Sequence, residues 1–151
     1  MTTVRLVGSD TIKINQRLLS DFPHGEIAKL SYSTDLVTVK TGKNGNVIYA
    51  KNETGNQATL ELHVLRGSGD DKFLNTQMSS YNTDPTHYVL MAAELVKVLG
   101  DGAGNVISDN YILTGGVCTK NVEAISNVEG DVEQAVALYT MQFAFAPRTI
   151  A

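Results

Sequence analysis

The chain has 151 residues, 42% of them hydrophobic, with 12 lysines and arginines against 16 aspartates and glutamates and a net charge of −4. That length predicts one domain with room for a real core, and the acidic balance argues against a general nucleic-acid binder, which needs a basic footprint. A single cysteine excludes an intrachain disulfide and a cysteine-based metal centre, and no apolar run approaches membrane-spanning length.

In chain order, Met1 to Arg5 carries no signal-peptide pattern, so a chain made and kept soluble in the cytosol is expected. Thr11 to Asn15 alternates as a short strand, and a bend is expected between Asn15 and Asp21. Phe22-Pro23-His24-Gly25 is turn chemistry. Ile27 to Tyr32 is a second strand and Leu36 to Thr41 a third, with Val37 and Val39 on one face. Gly42-Lys43-Asn44-Gly45-Asn46 is the strongest hairpin signal, because Asn-Gly accepts the left-handed backbone of a tight turn. It joins the third strand to Val47–Lys51, and Asn52 to Asn56 makes a second turn.

Ala58 to Leu65 alternates cleanly: Leu60, Leu62 and Val64 face one way, and Thr59, Glu61 and His63 the other. It predicts a half-buried antiparallel strand. Ser68 with Asp71 three residues on predicts a capping box, and Asp70 and Asp71 favour a helix N-terminus. Phe73, Leu74, Gln77, Met78 and Tyr81 then fall on one face of a short helix. Tyr88 to Leu99 fits a helical stripe or a strand buried on both faces. The hairpin-like loop Asp101–Asn105 that follows favours the strand. Tyr111 to Thr119 is a strand with a bulge or kink at Gly115-Gly116. Val122 to Val128 is mixed. Ala135 to Ala146 is a long last strand with Tyr139, Met141, Phe143 and Phe145 on one face. The tally is roughly eight strands and one helix, with no internal repeat, low-complexity tract or linker.

Chemistry-bearing residues are scattered. His24, His63 and His87 sit in different elements with no metal-like spacing. Cys118 lies in an apolar strand and reads as an inert thiol. Gly67 to Lys72 has the wrong spacing for a phosphate loop, and its two aspartates would repel phosphate. Asp101–Asn105 lacks the order of a calcium loop. No pair of carboxylates stands out for acid–base work, so no catalytic, cofactor-binding or metal-binding residue is assigned and an enzyme is not expected. The charge is uneven: residues 1–66 balance to +2 and residues 67–151 to −6, densest at Glu123, Glu129, Asp131 and Glu133. This run is either a solvated surface or a face kept negative so that a polyanion slides past it.

The block from Gly42 through Ile48–Asn52, Gly55 and Ala58–Leu65 into Ser68 and Phe73–Met78 resembles the tail tube proteins of contractile-tailed, Mu-like phages. Tyr111–Thr119 and Asp131–Arg148 look similar too. The Arg66–Gly69 segment departs from the commoner Ser-Pro-Ser-Asn helix entry of that family. The resemblance covers most of the chain and implies a mainly β fold: an antiparallel β-sandwich or half-barrel with one short flanking α-helix, spanning 1–151 as one domain with a hairpin protruding at about 37–51. It implies hexameric rings whose sheets join into one barrel of about 24 strands, stacked into a tube. Lys40, Thr41, Gly42, Lys43, Asn44, Gly45, Asn46 and Val47 would reach the neighbouring subunit or ring. Glu61, Glu123, Glu129, Asp131 and Glu133 are candidates for an acidic lumen through which DNA passes without specific binding. Partners would be further copies of the chain and sheath, baseplate and tail-terminator proteins. The location would be a virion tail, after synthesis in the bacterial host cytoplasm. A tailocin or type VI secretion tube is the nearest alternative, and a small ligand-binding β-barrel a more distant one.

Overall fold

Strict alternation from Ala58 to Leu65 places Leu60, Leu62 and Val64 in the interior without exposure, and this strand organises the molecule. The computed structural model describes residues 3–6, 10–53 and 55–151; Met1, Thr2 and Thr54, which the sequence reading placed in the N-terminal run and the second turn, lie outside the described residues. Among the described residues the strands are β1 (Arg5–Leu6), β2 (Thr11–Ile14), β3 (Arg17–Leu18), β4 (Ala28–Tyr32), β5 (Val37–Thr41) and β6 (Val47–Lys51). There follow β7 (Ala58–Leu65), the helix α1 (Gly69–Thr83), β8 (Met91–Gly100), β9 (Val106–Cys118), β10 (Glu123–Ala124), β11 (Val136–Phe145) and β12 (Arg148–Ile150).

All pairings are antiparallel, and ten strands form one sheet in the order β3-β2-β8-β9-β11-β7-β4. Beside this path β1 pairs with β8, β10 with β11 and β12 with β9. The sheet does not close on itself: β3 and β4 stand at its two ends. One core joins Ile12 and Ile14 of β2 to Leu60, Leu62 and Val64 of β7 and to Tyr139, Met141 and Phe143 of β11. Strands far apart in the sheet order therefore share one interior, which requires the sheet to curl.

Local chemistry accounts for the turns. The bend expected after Asn15 is a tight hairpin, with Asn15 and Gln16 at φ 49° and 68° between the paired residues Ile14 and Arg17. The bulge expected at Gly115-Gly116 is present on β9: Met91 pairs with Gly116 and Ala93 with Leu113, so β9 spends one residue more than β8. Gly115 takes φ +68°, and a Cβ on Gly116 would lie 2.2 Å from the buried Phe143 ring. Asp101 closes the β8–β9 loop by accepting from the Ala103 and Asn105 N–H groups and from Asn105 Nδ2.

The helix runs for 15 residues from the Ser68 cap, and only Asp70 and Leu74 on it are buried. Tyr81 is exposed, off the buried face, and meets the Tyr88 ring edge-on at 5.4 Å. Ser68 caps the helix, accepting from the Asp71 N–H at 3.2 Å. The reciprocal bond runs to Gly67 rather than to the cap residue, because the Ser68 N–H is already given to the Leu65 carbonyl. The helix ends where Pro85 denies Asp84 a helical backbone. Of Tyr88 to Leu99, the strand begins only at Met91. In β11 the buried stripe stops at Phe143; Phe145 is 48% exposed, and Ala146 takes the last interior position.

Candidate assembly surfaces

The residues singled out at the hairpin lie together, away from the main sheet. β5 and β6 pair only with each other, Val39 opposite Tyr49 and Thr41 opposite Val47. Lys40, Thr41, Gly42, Lys43, Asn44, Gly45, Asn46 and Val47 are all exposed. Asn44 at φ 62° and Gly45 at φ 78° make the turn, closed by the Gly42 N–H on the Asn46 carbonyl at 2.6 Å. The apolar side chains Val39, Ile48 and Tyr49 face solvent, Tyr49 at 72%. Among the described residues neither β5 nor β6 pairs with a third strand, and an isolated two-stranded ribbon is marginal in water.

The acidic residues separate into two groups. Glu61 lies on the polar face of β7, with Lys29 of β4 directly opposite it. Further along the same face, away from the core, Lys13 of β2 stands opposite Glu94 of β8. The polar sheet face therefore mixes signs and is not a uniform acidic wall. Glu123, Glu129, Asp131 and Glu133 are exposed on the segment between β9 and β11. Arg66 shapes this segment through long contacts of 3.3–3.4 Å to the Ile125 and Gln134 carbonyls and Ser126 Oγ, none of them carboxylates. Asn127 Oδ1 adds bonds from the Glu129 N–H and Gln134 Nε2, both at 3.1 Å.

The fold then adds what the sequence kept apart. Glu123 and Glu133 share a groove of about 290 Å³ with Glu26, His24 and His63, lined also by the apolar Pro23, Ile125, Val136 and Leu138. His63 Nδ1 is buried there without a hydrogen-bond partner among the described residues. No group of three or more His, Cys, Asp or Glu is disposed to hold a metal ion among the described residues. His87 lies elsewhere, with Nδ1 2.9 Å from the Asp84 carboxylate. Burial pushes the Cys118 thiol up to about 11, so it stays protonated near neutrality. The glycine-rich Gly67–Lys72 loop is filled by its own Asp71, which accepts from Gly67 N–H and from the Tyr139 hydroxyl at 2.8 and 2.5 Å. No helix among the described residues is long and apolar enough to cross a membrane.

Asp70, which the sequence marks only as a charge at a helix start, is a buried carboxylate with three donors. It is 1% exposed. Its carboxylate accepts from the Ser20 and Asp21 N–H groups at 2.7 and 2.8 Å and from Arg17 Nε at 3.2 Å. Burial acts to raise its pKa, but these donors outweigh it and hold the carboxyl below its ordinary range. Arg17 also lies over the Phe73 ring, 5.2 Å from its centroid. The β2–β3 corner is thereby pinned to the helix.

No family model and no curated protein matches the sequence. Among solved structures, the fold is similar over nearly its whole length to the tube terminating cap of the anti-feeding prophage, at TM-score 0.62 and 9% identity, covering 97% of this chain and 91% of the cap. It is similar also to the sheath/tube terminator, in its extended state, of PVC, an extracellular contractile injection system, at TM-score 0.56 and 12% identity, covering 95% and 94%. The chain thus has the fold of terminator and cap proteins of contractile injection systems.

Proposed function

We propose that the protein is a structural subunit of a contractile tail and forms the ring that terminates its tube. The observation that carries this reading is the whole-chain likeness to two terminators, together with a sheet left open at β3 and β4. Open edges carry unpaired backbone groups that can pair with another chain, and ring closure covers them. A head-to-tail interface closes into a ring at one rotation. In this role the subunit would meet tube and sheath proteins, and in a phage tail the genome would pass through the ring without specific binding. Glu129 and Asp131 remain proposed contributors to a negative lumen.

A second reading, a subunit repeated along the tube as rings stack, is favoured by the solvent-facing β5–β6 ribbon, which has the form of a connector between rings. Gold-labelled antibody on isolated tails separates the two. Label at one end supports the terminator, and label along the length supports the repeated subunit. Tails without label overturn both.

A further inference from the structure

The hairpin and the groove carry opposite charge at opposite ends of the sheet. Between Leu36 and Asn52 there are three lysines, Lys40, Lys43 and Lys51, and no acid. Between Asn121 and Ala135 there are four acids and no base, and Glu26 joins Glu123 and Glu133 at the groove. Among the described residues, none of these charges is engaged in an ion pair; the pairs present are Arg17–Asp70, His87–Asp84, Lys97–Asp10 and Arg148–Asp109.

The strand register fixes where the two surfaces lie. The ribbon leaves and re-enters the sheet where Tyr32 pairs with Ala58, at the start of β7. Glu123 pairs with Leu138, which pairs with His63, and Val136 pairs with Leu65, at the end of β7. The eight residues of β7 separate the two sites by about 25 Å. One chain therefore presents a basic, apolar projection at one end and an acidic groove with apolar lining at the other, which its own short ribbon connections keep apart.

Resting on the assembly reading above, we infer that the Glu26–Glu123–Glu133 groove is the receptor for the β5–β6 hairpin of a second copy of this chain. Lys51 shares a ribbon face with Val37, Val39, Val47 and Tyr49. That face covers Val136 and Leu138, Lys51 and the turn residue Lys43 meet the groove's carboxylates, and Lys40, beside Ile48 on the other face, adds charge at the rim. The contact is heterologous, so each copy gives a hairpin and receives one. Opposite charge steers the encounter and disfavours hairpin-to-hairpin and groove-to-groove contacts.

The test uses two charge-reversed full-length chains, one carrying Lys40→Glu, Lys43→Glu and Lys51→Glu, the other Glu26→Lys, Glu123→Lys and Glu133→Lys. Circular dichroism checks folding; sedimentation velocity and negative-stain microscopy read assembly. Each variant alone should need a roughly tenfold or higher concentration to assemble than the wild type. An equimolar mixture should assemble, because each reversed hairpin then finds a reversed groove. Wild-type assembly should weaken with salt, and a Lys40→Gln, Lys43→Gln, Lys51→Gln chain should show a flatter salt dependence, which keeps the test sharp if a reversed chain misfolds. Variants that assemble like the wild type, a mixture that fails to recover assembly, or an unchanged salt slope in the glutamine chain would overturn the pairing and leave the ring reading standing. A wild-type chain that stays monomeric at every concentration would overturn both.

Discussion

Replacing Asp70 tests how the helix is attached to the sheet. Asp70→Ala removes the acceptor of the Ser20 and Asp21 N–H groups and the counter-charge of Arg17. Hydrogen bonds to a buried charged acceptor are worth about 1.5–3 kcal/mol each. The three share one site, Ser20 is exposed enough to regain water, and the Arg17 side chain is 45% exposed, which screens its ion pair. The expected total is about 3 kcal/mol, or about 6–12 °C in melting temperature for a chain of this size. Asp70→Asn keeps one oxygen for the two N–H groups but sets its NH2 donor against the Arg17 Nε–H, so it loses the half-exposed ion pair and keeps the backbone bonds, at a cost of about 1–2 kcal/mol. The pH dependence has a definite sign. Because the folded carboxyl titrates below its ordinary range, its ionic contribution is present above the unfolded carboxylate pKa and fades as pH falls through the lowered folded value. The gap between wild type and Asp70→Asn should therefore narrow in acid, below about pH 4. Urea unfolding followed by circular dichroism, at protein concentrations too low for assembly, reads these differences. An Asp70→Ala chain within about 0.5 kcal/mol of wild type would refute the pinning role.

Two further outcomes follow from packing and from the ribbon. Gly116→Ala drives a methyl into the buried Phe143 ring and should cost about 1–3 kcal/mol, measured by the same urea titration; an unchanged midpoint would contradict the close approach. Deleting Thr41–Val47 removes only exposed residues, so the subunit should fold with its melting temperature nearly intact while ring or tube growth is lost in negative stain. Normal assembly from that deletion would remove the ribbon from the interface.

How much of this was legible in the sequence depended on the range of the interaction. The alternation of β7 and the Asn-Gly turn are local signals, and both elements stand where the pattern placed them. The choice of strand over helix for Tyr88–Leu99 rested on the Asp101–Asn105 loop and holds for Met91 onward. The helix start is legible in the Ser68 cap and the acids behind it, but its buried face is not: of the predicted stripe Leu74 alone is buried, and Asn75-Thr76 and Ser79-Ser80 add no apolar residue. Strands β1, β3, β10 and β12 have two or three residues each, less than a period-2 pattern needs to register. The Asp70 network joins residues about fifty positions apart. Likewise His24, His63 and Glu123 meet only after the sheet pairs, so the acidic run was visible but its groove was not.

In the proposed ring, other copies of the chain complete this sheet. Cryo-electron microscopy of the assembled protein tests this most directly. The expected result is an open-centred ring in which the backbone of β4 is hydrogen-bonded to a strand of the adjacent copy. A ring, or a monomer, in which the free edge of β4 still faces solvent would contradict it.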